Sequence, residues 1–299
     1  MHYVTPLVVA LAAVSAAGAS PKKPPDLKQL SDRQLAARFG AELPNARLAA
    51  AKELASRGER VLPAVAKALA SDDWRVRRAA TDVAMGMGKA AAGAAPALAR
   101  LLTQDKNAWV RDGAAEALGR TGVSTKPVVA ALVKGCVDPD EWVRYMAAQS
   151  LTRVTKDPDI LVPAAIEMLR QPGRFPRGRG VPVGILRKHG KGREGVIPVL
   201  LDVIDHPSEG MFSPTGGAVD ALLACGAEPK GIREALERLA RSTWWAHRTT
   251  AVRLLGKLGQ DAKPSIPLLK QMAQKDPHRK VRAAAQSALN RLEEAKAKK

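Results

Sequence analysis

The chain has 299 residues, and its 48 basic side chains outnumber the 29 acidic ones for a net charge of +19. A surface of that sign favours anionic partners such as nucleic acid, phospholipid headgroups, acidic polysaccharide or an acidic protein. Beyond the N-terminal nineteen residues no stretch is apolar enough to span a bilayer, which excludes a polytopic membrane protein, and two cysteines exclude a disulfide framework.

Residues 1–19 contain no Asp, Glu, Lys or Arg, and Leu7–Val14 is an apolar run followed by Ala17-Gly18-Ala19. This pattern suits a signal peptide cleaved before Ser20, which predicts export to the periplasm or medium. Residues 20–30 read as a linker, because Pro21-Lys22-Lys23-Pro24-Pro25 would break a helix. A helix is expected over Ser31–Phe39, with Ser31 and Gln34 at capping-box spacing.

From there one unit recurs to residue 293. Arg47, Arg77, Arg111, Arg144, Arg179 and Arg248 each stand eleven residues before Gly58, Gly88, Gly122, Thr155, Gly190 and Gly259. Thr215 before Gly226 marks a copy without its arginine, and Arg282 opens one more; successive anchors lie 30 to 36 residues apart. After Arg111 the apolar residues fall at Ala114, Ala115 and Leu118, one face of a helix, and the other copies agree. The turn glycines suit the left-handed residue past a helix end. A second apolar helix follows, opened by Pro63, Pro96, Pro127, Pro163, Pro198 or Pro267. No period-two alternation competes, so the fold class is all-α. Helix pairs of this kind bury their apolar faces only by stacking, which predicts a right-handed α-solenoid of about eight pairs behind an N-terminal capping helix. A Lys-rich tail, 294–299, ends the chain. Cys136 and Cys225 fall three repeats apart, roughly 25–30 Å at helix spacings of ~8–10 Å. That is too far for a disulfide, and both read as buried free thiols.

The charge is concentrated. No acidic residue lies between Glu167 and Glu194, a stretch holding Arg170, Arg174, Arg177, Arg179, Arg187, Lys188, Lys191 and Arg193 among glycines and prolines. Repeats near 171–228 are thereby irregular, and the stretch has two readings: an anion- or partner-binding lip, or drift in a tolerant loop. Aromatics gather two to four residues before an anchor: Trp74, Trp109, Trp142, Phe175, Phe212, Trp244 and Trp245. Each ring is expected to plug a junction between repeats; the alternative is a stacking ridge for a partner. Trp244 and Trp245, being consecutive, cannot both face inward.

His189, His206, His247 and His278 form no metal-binding pair, and no zinc, phosphate-loop or nucleophile-elbow pattern is present. No catalytic residue, cofactor or metal is expected.

Asp105–Gly119 (DKNAWVRDGAAEALG), Asp138–Leu151 and Asp276–Leu289 resemble HEAT repeats of the short, phycobilisome-lyase-like type. The resemblance implies a structural ladder in which the arginine opening a first helix bonds an aspartate of the inter-repeat loop. Matching pairs here would be Asp105 with Arg111, Asp138 with Arg144 and Asp276 with Arg282, with Asp72 serving Arg77; Arg248 belongs to the same ladder, and Arg179, which has Gly173 at the aspartate position, is left open to a ligand. It also implies a concave face lined by second helices, where Lys67, Arg100, Lys134 and Lys270 fall. The expected function is a non-enzymatic scaffold of the envelope or extracellular space that binds a protein or an anionic polymer or membrane surface. Retention in the cytoplasm would instead favour a nucleic-acid-binding HEAT protein, and a regulatory or accessory subunit of an enzyme is the third reading.

Overall fold

The computed structural model of the chain describes residues 26–38, 44–171, 180–207 and 214–297. The helix α1 (Asp32–Ala37) comes first. Seven pairs follow: α2 (Pro44–Ser56) with α3 (Leu62–Leu69), α4 (Trp74–Met87) with α5 (Ala95–Gln104), α6 (Ala108–Thr121) with α7 (Lys126–Gly135), α8 (Glu141–Val154) with α9 (Pro158–Arg170), α10 (Gly180–His189) with α11 (Val196–Asp205), α12 (Thr215–Ala224) with α13 (Pro229–Leu239), and α14 (Trp245–Lys257) with α15 (Ile266–Lys275). The copy opened by Arg282 is a single helix, α16 (Arg279–Ala297). Among the described residues there is no strand, and the pairs stack into an α-solenoid. The proposed signal peptide, most of the linker, Arg174, Arg177, Arg179, Phe175, Phe212 and the last residues of the tail lie outside the described residues.

Local chemistry sets the helix ends. The Ser31 side chain accepts from the Gln34 amide at 3.2 Å while the Ser31 amide donates to Gln34 Oε1 at 2.8 Å, a complete capping box. Asp73, Asn107 and Asp140 each accept the amide two residues on and so start α4, α6 and α8. Gly122 ends α6 with φ 69°, a left-handed residue that a Cβ would strain.

Two positions depart from the sequence reading. Gly190 does not take the left-handed conformation; Gly192 and Gly195 do. Gly190 is small because a Cβ there would meet Leu186 O at 2.5 Å and Val196 Cγ1 at 2.8 Å. Pro163 does not open a helix: α9 begins five residues earlier at Pro158, behind the Asp157 cap, and Pro163 sits within it. The other unusual turn explains this. Thr155 stands at the glycine position of its copy, so α8 ends in an extended residue (φ −135°, ψ 153°) and the chain re-enters a helix directly.

The core is one continuous cluster running from Leu35 to Leu292, with Leu98, Leu102, Leu118, Leu132 and Leu151 among its fully buried side chains. First helices lie side by side along seams of small residues. A Cβ on Gly119 would come within 2.3 Å of Ser150 Oγ, and one on Gly256 within 2.9 Å of Ala288 Cβ, so these helices approach at backbone distance. Side-by-side packing is most extensive at α4–α6, α6–α8 and α14–α16 and slight at α8–α10 and α12–α14.

Candidate interaction surface

The anchor arginines form a ladder, but its rungs run between repeats. Arg77 donates from Nε to Asp105 Oδ2 at 2.6 Å and from Nη2 to Asp105 Oδ1 at 3.0 Å. Arg111 grips Asp138 in the same fork, at 2.8 Å twice, and Arg248 grips Asp276 at 2.7 and 3.0 Å. The pairs expected within a repeat are therefore corrected. Toward its own loop each arginine instead donates Nη1 to backbone carbonyls: Arg111 to Asp105 O and Lys106 O, Arg144 to Asp138 O and Pro139 O, Arg282 to Asp276 O and Pro277 O. For Arg77 the loop carbonyls are those of Ser71 and Asp72, and the carboxylate of Asp72 is not its partner. Each bridging aspartate also accepts the amide two residues ahead, Asn107, Asp140 or His278, which tightens its own turn. One carboxylate thus shapes its loop and fastens the preceding repeat to it through charge-assisted bonds.

The electrostatics follow from these contacts. The Arg248 hydrogen bonds hold the Asp276 carboxyl below its ordinary 3.8. Asp138, by the same geometry, is largely buried, its side chain 8% exposed against 13% for Arg111. Burial pushes Asp112 above the usual carboxylate range, partly opposed by Arg78, whose Nη1 lies 3.2 Å from Asp112 Oδ2. Desolvation lowers Arg144, which is buried on α8.

Of the basic stretch, Arg187 and Lys188 are exposed on α10 and Lys191 is exposed in the following turn. Arg193 reaches back to Asp159 at 2.7 Å, and Arg170 pairs with Glu167 at 2.7 Å. The described members of the stretch thus divide between solvent-facing cations and arginines already engaged by α9.

The aromatic edge also divides. Trp74 and Trp245 pack against the core, as the junction reading holds. Trp109 and Trp142 do not: they are 65% and 49% exposed, because they sit one residue outside the buried face that Val110 and Val143 occupy. Trp109 leans on Trp74 with centroids 5.4 Å apart, and Arg75 lies 5.0 Å from the Trp74 ring. Trp244 meets His247 edge-on, whereas Trp245 stacks flat on His278 at 4.2 Å, with Lys280 5.0 Å from the Trp245 ring.

Sequence reasoning missed a groove of about 1100 Å³ between the second helices α7 and α9. Second helices α5 and α7 pack directly, as do α9 and α11, but α7 and α9 stand apart. Gly135 draws the end of α7 onto its other neighbours, since a Cβ there would lie 2.8 Å from Ala147 Cβ and 3.1 Å from Leu102 Cδ1. The flank left open carries Val129, Ala130, Val133 and Val137 opposite Ile160, Pro163 and Ala164, with Val154 and Thr155 between them. Lys126, Lys134 and Lys156 stand on its rim. The signal was Thr155, the one anchor-spaced turn without glycine.

Sequence reasoning also missed Arg57, which ties the N-terminal segment to the array. It donates to Asp32 at 2.5 Å and to the carbonyls of Leu30 and Leu27 at 2.7 and 3.3 Å. Among the described residues no group of three or more His, Cys, Asp or Glu side chains is placed to hold a metal ion, and no helix is long and apolar enough to cross a membrane.

Stacked helix pairs with one continuous core define a helical-repeat protein. The family pattern for HEAT repeats matches residues 31–119, 95–174 and 216–290, and the chain belongs to that family. Solved structures agree on the fold. YibA of E. coli superposes with a TM-score of 0.58 at 16% identity, over 92% of this chain and 99% of that one. Importin beta gives 0.60 at 16% identity over 88% of this chain and 40% of its own length, and Kap121p 0.53 at 14% over 87% and 32%. No curated protein sequence matches.

Proposed function

We propose that the chain is a non-enzymatic scaffold that binds protein partners along the face built by its second helices, and that it works outside the cytoplasm. The observation that carries this reading is the asymmetry of the array. First helices α2, α4, α6 and α8, and α14 with α16, close on one another at backbone distance, while the second helices open the groove between α7 and α9; Lys67, Arg100, Lys134 and Lys270 are exposed along the second-helix face. A rigid repeat array with a long accessible face suits partner binding, and the importin-like fold is in keeping with it. The short repeat subtype and the basic surface as a contact for anionic polymers belong to the same reading. Export rests on the uncharged apolar run at the N-terminus.

The test is fractionation of cells of the source organism with the intact mass of the protein in each fraction. A periplasmic or secreted species beginning at Ser20 supports the reading. A cytoplasmic species beginning at Met1 rejects export and makes nucleic acid the first partner to try, by measuring binding against salt concentration.

A further inference from the structure

The groove between α7 and α9 differs from the rest of the second-helix face in chemistry as well as depth. Matching buried residues sets the register: Val128, Ala131, Leu132 and Gly135 of α7 correspond to Ala95, Leu98, Ala99 and Leu102 of α5. Where α5 then presents Arg100 and Gln104, α7 and the residues after it present Val133 and Val137. Val137, one turn further, is 37% exposed, one of the few large apolar side chains open to solvent. Solvent-facing positions that are polar in a neighbouring copy are apolar here, and the space beside them is open.

The rim says what kind of molecule fits. Lys126, Lys134 and Lys156 are exposed around it. Its carboxylates, Asp159 and Glu167, are neutralised by Arg193 and Arg170, each at 2.7 Å. The uncompensated charge on the rim is therefore positive. This disfavours a second copy of a chain whose net charge is +19, and equally the Lys-rich ends of the chain itself. The apolar floor follows the turns of two helices, α9 alone having 13 residues or roughly 20 Å. Rows of that length and spacing suit the apolar stripe of a helix.

We propose that this groove docks an acidic amphipathic helix of a partner protein, its apolar stripe on Ala130, Val133 and Val137 and its carboxylates on Lys126, Lys134 and Lys156. The proposal rests on the scaffold reading above and names the chemistry of one partner.

The experiment uses the full chain and three fluorescein-labelled helical peptides of about five turns, roughly 18 residues. One has a leucine stripe flanked by glutamates, one the same stripe flanked by lysines, and one the glutamates with serines replacing the stripe. Fluorescence anisotropy is measured against the wild type, Lys134→Glu/Lys156→Glu and Ala130→Asp, with circular dichroism to confirm folding. The expected result is saturable binding of the first peptide alone, weakened about tenfold or more by either variant. The charge-reversed lysines are exposed, so that variant reports on the groove even where Ala130→Asp perturbs the fold. Equal binding of the serine peptide would show general attraction to a basic protein and overturn the proposal, as would equal binding of the lysine peptide or unchanged affinity in the variants. Self-association of the wild type by sedimentation that Ala130→Asp abolishes would place a second copy in the groove instead. Retention of cellular crosslinked partners by both variants, with no peptide effect, would reject the groove while leaving the scaffold reading intact.

Discussion

Removing the Asp138 side chain tests how the repeats are joined. Asp138 takes two forked bonds from Arg111 at 2.8 Å and the Asp140 amide at 2.9 Å. Asp138→Ala leaves an arginine that is 13% exposed without its counter-charge, a change that costs about 3–5 kcal/mol for a largely buried pair. Because both partners belong to one network, the double-mutant cycle with Arg111→Ala is expected to give a coupling of about 2–3 kcal/mol. The cycle of Arg111→Ala with Asp105→Ala is expected to give the smaller coupling, about 1 kcal/mol or less, since Arg111 bonds the backbone carbonyl of Asp105, which alanine keeps. Urea unfolding followed by circular dichroism reads both cycles. The slope must be checked for each variant, because repeat arrays can lose two-state behaviour. A larger coupling with Asp105 than with Asp138 would refute the cross-repeat ladder, as would two couplings near zero.

Gly119→Ala forces a Cβ to within 2.3 Å of Ser150 Oγ and should cost about 1–3 kcal/mol. Gly184→Ala on α10 meets nothing within 4 Å and should stabilise by about 0.5–1 kcal/mol; equal effects in thermal melts would deny the close approach of α6 and α8. Asp276 is held below 3.8 by Arg248, so its contribution is complete above that value and fades as pH falls through the folded value. The stability difference between wild type and Asp276→Asn should shrink below about pH 4, and a difference that grows there contradicts the assignment. Trp109→Phe with Trp142→Phe should remove most acrylamide-accessible fluorescence, since those rings are 65% and 49% exposed; quenching that persists unchanged would locate it at another ring. Burial pushes the Cys136 thiol up to about 12, so iodoacetamide should leave it unmodified in the native protein and label it in urea.

The period of the array was legible because most copies repeat the same arginine, small residues and turn, and the two exceptions, Thr215 and Thr155, keep the spacing. The partner of each arginine was not, because an aspartate six residues before an arginine and one 27 or 28 residues after it both fit an inter-repeat loop. A clue lay in the seventh copy. Arg248 has Ser242 rather than an aspartate in its own loop but has Asp276 ahead of it, and Ser242 follows the copy whose arginine is replaced by Thr215. The loss of one partner matches the loss of the other across the junction. The ladder also accounts for where first helices pack most extensively: among the described residues, α4–α6, α6–α8 and α14–α16 are the junctions where an anchor arginine forks an aspartate.

The exposed tryptophans and the groove escaped for a different reason. Helical periodicity says which face a residue occupies, but Trp109 and Trp142 lie one residue off the buried face at helix starts, where the neighbouring repeat decides the outcome. The groove arises from the separation of two helices, set by Gly135 on one side and the turn at Thr155 on the other. Neither residue announces a cavity by itself; the Thr in a glycine position marks only that the turn differs.

The central claim is that partners bind the second-helix face. It is tested most directly by placing a photo-crosslinking amino acid, one at a time, at Lys67, Arg100, Lys134 and Lys270 on second helices and at Arg120, Arg153 and Arg253 on first helices, all exposed. The proteins are irradiated in cells of the source organism and the adducts resolved by mass. Discrete protein adducts from the second-helix positions and none from the first-helix positions are the predicted result. The same adducts from both sets, or adducts from first helices alone, would contradict the account.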